Sequence, residues 1–117
     1  MGFLGLSILG ASAQLTNTKW TGKAGEMTIL WTFAKDTTGA VTLPDSISLG
    51  TMTFSVKDSV VSFRKIEGRL PCDAAIVGRY KFTITGNKLL FTLISDDCAA
   101  RSQSIDGALF DRITDNK

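Results

Sequence analysis

The chain has 117 residues, enough for one domain with a single hydrophobic core. Its 13 basic and 11 acidic residues are interspersed along the sequence, so the net charge of +2 marks no face for nucleic acid. The sequence contains no histidine and only two cysteines. This composition excludes a histidine-assisted nucleophile, and it leaves a zinc site short of its usual ligands.

The first thirteen residues have the features of an export signal. Residues 3–10 form an apolar run too short to span a bilayer, and Ala11-Ser12-Ala13 has the small-x-small pattern of a signal-peptidase site. We therefore predict a signal peptide over residues 1–13, one domain over residues 14–117 and no stable membrane span. Because no Lys or Arg precedes the apolar run, two alternatives stay open: a start further upstream, or a first strand instead of a signal.

Alternation of apolar and polar residues predicts a series of short β-strands. The odd-numbered residues from Met27 to Phe33, for example, are all large and apolar, which is typical of a half-buried strand. Residues 89–94 are apolar on both faces and should form the most covered strand. The predicted strands cover residues 18–23, 26–34, 40–43, 50–57, 60–66, 75–84, 89–94 and 107–113.

The two cysteines flank a predicted hairpin. Its turn contains Gly86-Asn87, a pair that tolerates the positive φ of a tight turn. Cys72 lies fourteen residues before Gly86 and Cys98 twelve residues after it, so the folded hairpin brings both thiols to nearly the same level. We predict a disulfide between them. Because structural disulfides persist in oxidising compartments, we expect a secreted or periplasmic protein.

The alternation is lost over residues 95–102. An Asp followed by Ala-Ala-Arg at residues 99–101 suits a single helical turn, with Asp96 or Asp97 as its cap. Eight short strands joined by tight turns indicate an antiparallel sandwich or an up-and-down barrel, and the sequential hairpins favour the barrel. The predicted fold is an all-β, antiparallel, up-and-down eight-stranded barrel with at most one short helical turn.

Three features of the chain resemble the lipocalin-like members of the calycin superfamily, small secreted eight-stranded barrels. Trp20 stands on the first strand, where that family carries Gly-x-Trp near the bottom of the barrel. Arg101 comes shortly before the last strand, and in that family an Arg from the far end of the chain packs across the Trp. The third feature is the run of residues 97–101, Asp-Cys-Ala-Ala-Arg, which is similar to small secreted bacterial proteins of this type. The resemblance implies that Trp20 and Arg101 close the barrel.

Inward-facing aromatic residues recur on the predicted strands. As a core they would be ordinary packing, and as an apolar cleft they would hold a small ligand, with Tyr80 the one polar group available to orient it. The candidate ligand-binding residues are Trp31, Phe33, Phe54, Phe63, Tyr80 and Phe82.

Two classes of function stay open. We favour an exported, non-catalytic carrier of a small apolar ligand; the alternative is a filled barrel whose loops bind another protein, as an inhibitor would. A measured cavity discriminates them: apolar interior space of at least roughly a few hundred Å³, the scale of a ligand pocket, favours the carrier, whereas a solidly packed interior favours the protein-binding alternative. We expect no catalysis, no metal and no cofactor, because the usual acid–base and metal-binding sets are missing.

Overall fold

Eight antiparallel strands form a closed barrel in the computed structural model, which describes residues 15–113. The elements are β1 (Thr18–Ala24), β2 (Met27–Phe33), β3 (Thr38–Thr42), β4 (Ser48–Lys57), β5 (Val60–Gly68), β6 (Gly78–Thr85), β7 (Lys88–Ser95), α1 (Ala99–Ile105) and β8 (Leu109–Arg112). Each strand pairs with the next in chain order, and β1 pairs with β8 to close the circle. This confirms the predicted all-β, up-and-down barrel. The predicted signal peptide, residues 1–13, lies outside the described residues.

The hairpin between β6 and β7 has the predicted turn. Gly86 takes a φ of 61°, the positive value that a tight hairpin turn favours. β6 begins at Gly78 rather than at residue 75, because the preceding residues belong to a connecting segment that leads from Cys72 towards the barrel. No helix within residues 15–113 has the length and hydrophobicity needed to cross a membrane.

Aromatic side chains fill much of the barrel interior. Neighbouring rings lie between 5.0 and 6.4 Å apart, measured between centroids, in stacked, tilted and edge-on arrangements. Aromatic pairs in such geometries add to the stabilisation that comes from burying their area. We call this set the aromatic core; it consists of Trp31, Phe33, Phe54, Phe63, Tyr80, Phe91 and Phe110.

The two ends of the barrel differ. Helix α1 lies across the end at which β1 turns into β2, where a Cβ on Gly25 would lie 3.6 Å from Ser104 Oγ. We call this the helix end. The opposite end, which we call the closed end, contains the fully buried Leu15 and Trp20. There, Trp20 Nε1 donates a hydrogen bond to Thr18 Oγ1 at 2.7 Å.

The expectation that β7 is covered on both faces is wrong. Leu89 and Phe91 are fully buried, whereas Leu90 is 37% exposed and Ile94 is 45% exposed. A strand in a closed barrel has one face towards the interior and one towards solvent. The apolar residues on the outer face of β7 are therefore exposed to solvent and are not part of the core.

The expected cap of the helix is also wrong. α1 is a single short helix of seven residues, as predicted, but its N-cap is Cys98, which makes no side-chain capping hydrogen bond. The carboxylate of Asp96 is engaged elsewhere, in an ion pair with Arg101. The spacing between Asp96 and the start of α1 fits a cap, but it is equally compatible with an ion pair between Asp96 and Arg101.

Candidate functional site

A cavity of about 210 Å³ opens at the helix end of the barrel. Its walls are mainly apolar, and they come from the barrel strands, from the segment between β5 and β6, and from α1. The lining residues are Ala24, Met27, Ile29, Trp31, Val41, Leu49, Met52, Lys65, Arg69, Leu70, Pro71, Arg101, Ser104 and Ile105.

The barrel part of the wall comes from inward positions that carry medium-sized side chains. Ile29, Val41 and Met52 are all buried, and each lies on a face that alternates with solvent-facing residues. Further along the same interior, aromatic rings at contact distance occupy the inward positions. The cavity therefore exists where the inward residues change from aromatic to aliphatic.

A disulfide fixes the outer part of the wall. Cys72 and Cys98 are bonded, with their Cα atoms 5.9 Å apart, which confirms the predicted pairing. The bond joins the β5–β6 segment, which carries Leu70 and Pro71, to the start of α1. Closing a loop of this size stabilises the fold by about 3.5 kcal/mol in the chain-entropy model. It thereby holds two separate parts of the cavity wall together.

Two glycines allow this wall to approach the barrel closely. Gly50 and Gly68 are paired across β4 and β5 and have φ values of 152° and 100°. A Cβ on Gly50 would lie 2.8 Å from Leu70 Cγ, and one on Gly68 would lie 2.7 Å from the carbonyl oxygen of Leu49. Both distances are shorter than van der Waals contact. Because neither residue has a Cβ, Leu70 packs over Gly50 and reaches the cavity.

A buried ion pair lies next to the disulfide. Arg101 Nε donates to Asp96 Oδ2 at 2.7 Å and Arg101 Nη2 donates to Asp96 Oδ1 at 2.8 Å, a bidentate arrangement. Tyr80 Oη donates to Asp96 Oδ2 at 2.6 Å, and the backbone N–H of Cys98 donates to Oδ1 at 2.9 Å. The Asp96 side chain is 0% exposed and that of Arg101 is 7% exposed. Four donors thus converge on one buried carboxylate.

Protonation equilibria in this cluster favour the charged pair. Burial alone would raise the pKa of the Asp96 carboxyl, but hydrogen bonds from Arg101, Tyr80 and the Cys98 N–H outweigh it and lower that pKa from its ordinary value. The hydrogen bond to Asp96 raises the pKa of Arg101. Burial, together with the bond to Asp96, raises the pKa of Tyr80, so the phenol is neutral. The positive charge of Arg101 is therefore balanced by Asp96.

The charges that border the cavity are all positive. Lys65, Arg69 and Arg101 line it, and no lining residue carries a carboxylate. Arg101 is balanced by Asp96 from outside the lining set. Among residues 15–113, neither Lys65 nor Arg69 forms an ion pair. The apolar walls therefore carry two cations that form no ion pair with a carboxylate of residues 15–113.

Trp31 connects the cavity to the aromatic core. Its ring centroid lies between 5.0 and 5.7 Å from those of four phenylalanines. Its Nε1 is buried and has no hydrogen-bond partner in the described part of the chain. An unpaired buried donor of this kind costs about 1 to 3 kcal/mol. Trp31 is thus a cavity-lining residue with an unsatisfied polar atom.

The predicted ligand-binding residues are largely not at this cavity. Trp31 is the only one of the six that lines it. Four others, Phe33, Phe54, Phe63 and Tyr80, belong to the aromatic core, and Phe82 is buried within β6. Phe54 and Phe63 also border a second depression of about 230 Å³ on the β4–β5 wall, where most of the other lining residues are polar. The Tyr80 hydroxyl, expected to orient a ligand, binds Asp96 instead.

Sequence reasoning missed most of the cavity wall. The aliphatic residues Ile29, Val41 and Met52 occupy the same inward register as the aromatic residues, so alternation alone identifies them as interior. Alternation does not distinguish packed interior from open interior. Leu70 and Arg69 could have been found only from their nearness in sequence to Cys72, which brings that segment to the helix end.

Trp20 is buried, as the predicted closure of the barrel requires, but Arg101 does not lie over its ring. The cation over its ring is Arg112, whose Cζ lies 5.8 Å from the ring centroid. Pairing of β1 with β8 places Arg112 directly opposite Trp20. Arg101 belongs to α1 at the helix end, where Asp96 binds its guanidinium.

Chemically, the site is suited to binding. The single hydroxyl among the lining residues, that of Ser104, donates to the carbonyl oxygen of Ala100 at 3.0 Å and has no base beside it in the lining set. No group of three or more His, Cys, Asp or Glu within residues 15–113 is placed to hold a metal ion. What the cavity offers is apolar surface with cations at its border.

Comparison with known proteins gives no assignment. No protein-family model matches the chain, no curated protein matches it and no solved structure matches it.

Proposed function

We propose that this protein is a non-catalytic binding protein that holds a small, largely apolar molecule in the cavity at the helix end. The observation that carries the proposal is an apolar space of about 210 Å³ whose walls are fixed by a disulfide. An apolar cavity of about 150 Å³ accommodates benzene, whereas drug-sized ligands fill roughly 300 to 1,000 Å³. At the density of bound benzene, this cavity holds an apolar body of about eight carbon atoms.

We propose further that the protein is an exported member of the lipocalin-like group. The eight-stranded up-and-down barrel supports this assignment, as does the cation–π contact between Trp20 and Arg112 at the closed end. In this arrangement Arg112 takes the role that the resemblance attributed to Arg101. The disulfide supports a secreted or periplasmic location, because such bonds persist in oxidising compartments.

Binding of a neutral probe tests the proposed function. We expect 3-phenylpropanamide, whose apolar body has the estimated size, to change the tryptophan emission saturably with one site per chain. Ala24→Phe places a ring in the mouth of the cavity, where Ala24 is a lining residue, and should weaken binding about tenfold or more. Thr28→Phe adds the same ring at an exposed position of the neighbouring strand and should leave binding unchanged.

A barrel that acts by binding another protein is the second candidate. The packed aromatic core favours it, and so does the exposed apolar pair Leu90 and Leu109, which face each other across β7 and β8. If neither 3-phenylpropanamide nor a panel of other compact apolar compounds binds, the carrier proposal is wrong and this alternative replaces it.

A further inference from the structure

We infer that the ligand of the cavity at the helix end is a small carboxylate, with its apolar body inside the barrel and its anionic head between Lys65 and Arg69. This inference rests on the proposed function and specifies the chemical class that the cavity accepts. It follows from where the cations lie and from how their charges are balanced.

Lys65 occupies a position of β5 that faces the barrel interior. It is paired across the sheet with Met52, a buried residue that also lines the cavity. Paired residues of an antiparallel sheet project to the same face, so Lys65 projects inward as Met52 does. The register shifts immediately beyond this pair, where Ile66 is the extra residue, and Glu67 then pairs with Thr51. The only acidic residue of β5 thus lies outside the cavity lining.

Arg69 provides a second cation where the cavity meets solvent. It follows β5 directly, and its backbone N–H donates to the carbonyl oxygen of Leu49 at 2.6 Å, which fixes the main chain there. Leu49 and Arg69 both line the cavity. Arg69 is exposed and Lys65 is half-buried, so Arg69 is the more solvent-accessible of the two residues.

Charge balance distinguishes these two residues from the third cation of the lining. The guanidinium of Arg101 is paired with Asp96, and its Nη2 also donates to the carbonyl oxygen of Ile76 at 3.0 Å. Lys65 and Arg69 form no ion pair among residues 15–113. A half-buried cation beside apolar walls is poorly solvated, and an anion brought by the ligand would compensate it. A neutral apolar ligand would leave that charge uncompensated.

Matched ligands test this inference. We would titrate the protein with 3-phenylpropanoate, 3-phenylpropanamide and 3-phenylpropylammonium at neutral pH, using calorimetry and tryptophan emission. These compounds share a phenylethyl body and differ in the charge of the head; the ammonium compound has a methylene where the other two have the carboxyl or amide carbon. A charge-assisted hydrogen bond predicts that the carboxylate binds about tenfold more tightly than the amide, and that the ammonium compound binds most weakly.

Variants identify the cation responsible. Lys65→Met should reduce the preference for carboxylate over amide to about twofold or less. Arg69→Gln, at an exposed position, should reduce the preference by a smaller factor. Lys81→Met is the matched control, because Lys81 is exposed on the outer face of β6 and lies outside the cavity lining. It should retain the full preference.

The possible outcomes separate this inference from the proposed function. If the wild type binds the amide as tightly as the carboxylate, or if Lys65→Met retains the preference, the inferred anion site is wrong and the apolar carrier stands. If neither the three compounds nor the panel of other compact apolar compounds binds, the proposed function fails and the inference fails with it. A tenfold preference that disappears in Lys65→Met, decreases in Arg69→Gln and persists in Lys81→Met would establish both.

Discussion

Asp96 shows how much of the helix end depends on one side chain. Its carboxylate accepts hydrogen bonds from Arg101, Tyr80 and Cys98, and so connects α1, β6 and the disulfide. Strand β6 can lie close to Asp96 and Arg101 because its first residue, Gly78, has no side chain. A Cβ at that position would lie 2.7 Å from Asp96 Cγ and 3.0 Å from Arg101 Nε. A buried charge pair of this kind contributes little net stability when complete and is costly to break.

We predict that Asp96→Asn destabilises the fold by about 3 to 5 kcal/mol, because it leaves the buried guanidinium of Arg101 without a balancing charge. Asp97→Asn is the matched control, since Asp97 is the next residue, is exposed and makes the same change in net charge. It should alter stability by about 0.5 kcal/mol or less. Urea denaturation measures both. Equal effects of the two substitutions would contradict the structural role of Asp96.

The carboxylate of Asp96 should also make the free energy of unfolding depend on pH. The pKa of Asp96 in the folded protein is below its ordinary value, which is about 3.9 in the unfolded chain. The stabilisation linked to this carboxylate is therefore complete above the unfolded pKa and is lost as the pH falls through the folded pKa. In the Asp96→Asn variant this component of the acid-induced loss should be missing from unfolding free energies measured between pH 5 and the acid limit of folding.

Sequence reasoning assigned Asp96 to a helix cap for an identifiable reason. A cap is recognised from residues within one turn, and the spacing before Ala99 satisfied that pattern. Its actual partners include Tyr80, sixteen positions away, and the Arg101 guanidinium that also reaches Ile76, twenty-five positions from Arg101. Such pairings depend on the curvature and closure of the barrel, which alternation along a single strand does not specify.

At the scale of elements, strand β7 provides the clearest test of register. Leu89 is fully buried and Leu90 is 37% exposed, although the two residues are identical neighbours. We predict that Leu89→Ala costs about 2 to 5 kcal/mol of unfolding free energy, because it opens space in the core. Leu90→Ala should cost about 1 kcal/mol or less. Similar losses at both positions would show that β7 is covered on both faces, contrary to this structure.

The strands themselves were predictable to a large extent, and their number and order are confirmed. Alternation can be seen within a single strand, and the Gly86-Asn87 turn within two residues. The disulfide could be predicted because Cys72 and Cys98 lie at similar distances along the chain from that turn. The error at β7 has a different origin. A run that is apolar at every position fits a strand buried on both sides, and only the closure of the sheet into a barrel shows that the outer face has no cover.

On the scale of the whole molecule, the barrel is divided between a packed interior and an open helix end. Aromatic rings at contact distance occupy the first, and aliphatic side chains surround the second. Both regions use inward positions of the same strands, so period-two patterning predicts them equally. Whether an inward position is packed or open depends on the side-chain volumes of several strands together, and on the β5–β6 segment that the disulfide holds at the cavity. Neither can be derived from alternation along one strand. For this reason the predicted ligand-binding residues lie mostly in the aromatic core.

This division places the two tryptophans in different environments, and it leads to a prediction about which of them reports on the ligand. Trp31 lines the cavity, whereas Trp20 is fully buried at the closed end, with Thr18 on its Nε1 and Arg112 over its ring. Because Trp20 is paired with Trp31 across β1 and β2 but does not line the cavity, a ligand there should change chiefly the emission of Trp31.

We predict that Trp20→Phe retains the change in emission when 3-phenylpropanoate binds, and that Trp31→Phe loses it. Calorimetry on Trp31→Phe should still detect binding, with affinity reduced by about tenfold or less, because the other apolar walls remain and only part of one ring is removed. This second measurement separates loss of the reporter from loss of the site. A response that persists in Trp31→Phe and disappears in Trp20→Phe would place the ligand at the closed end, and the cavity beneath α1 would then not be the binding site.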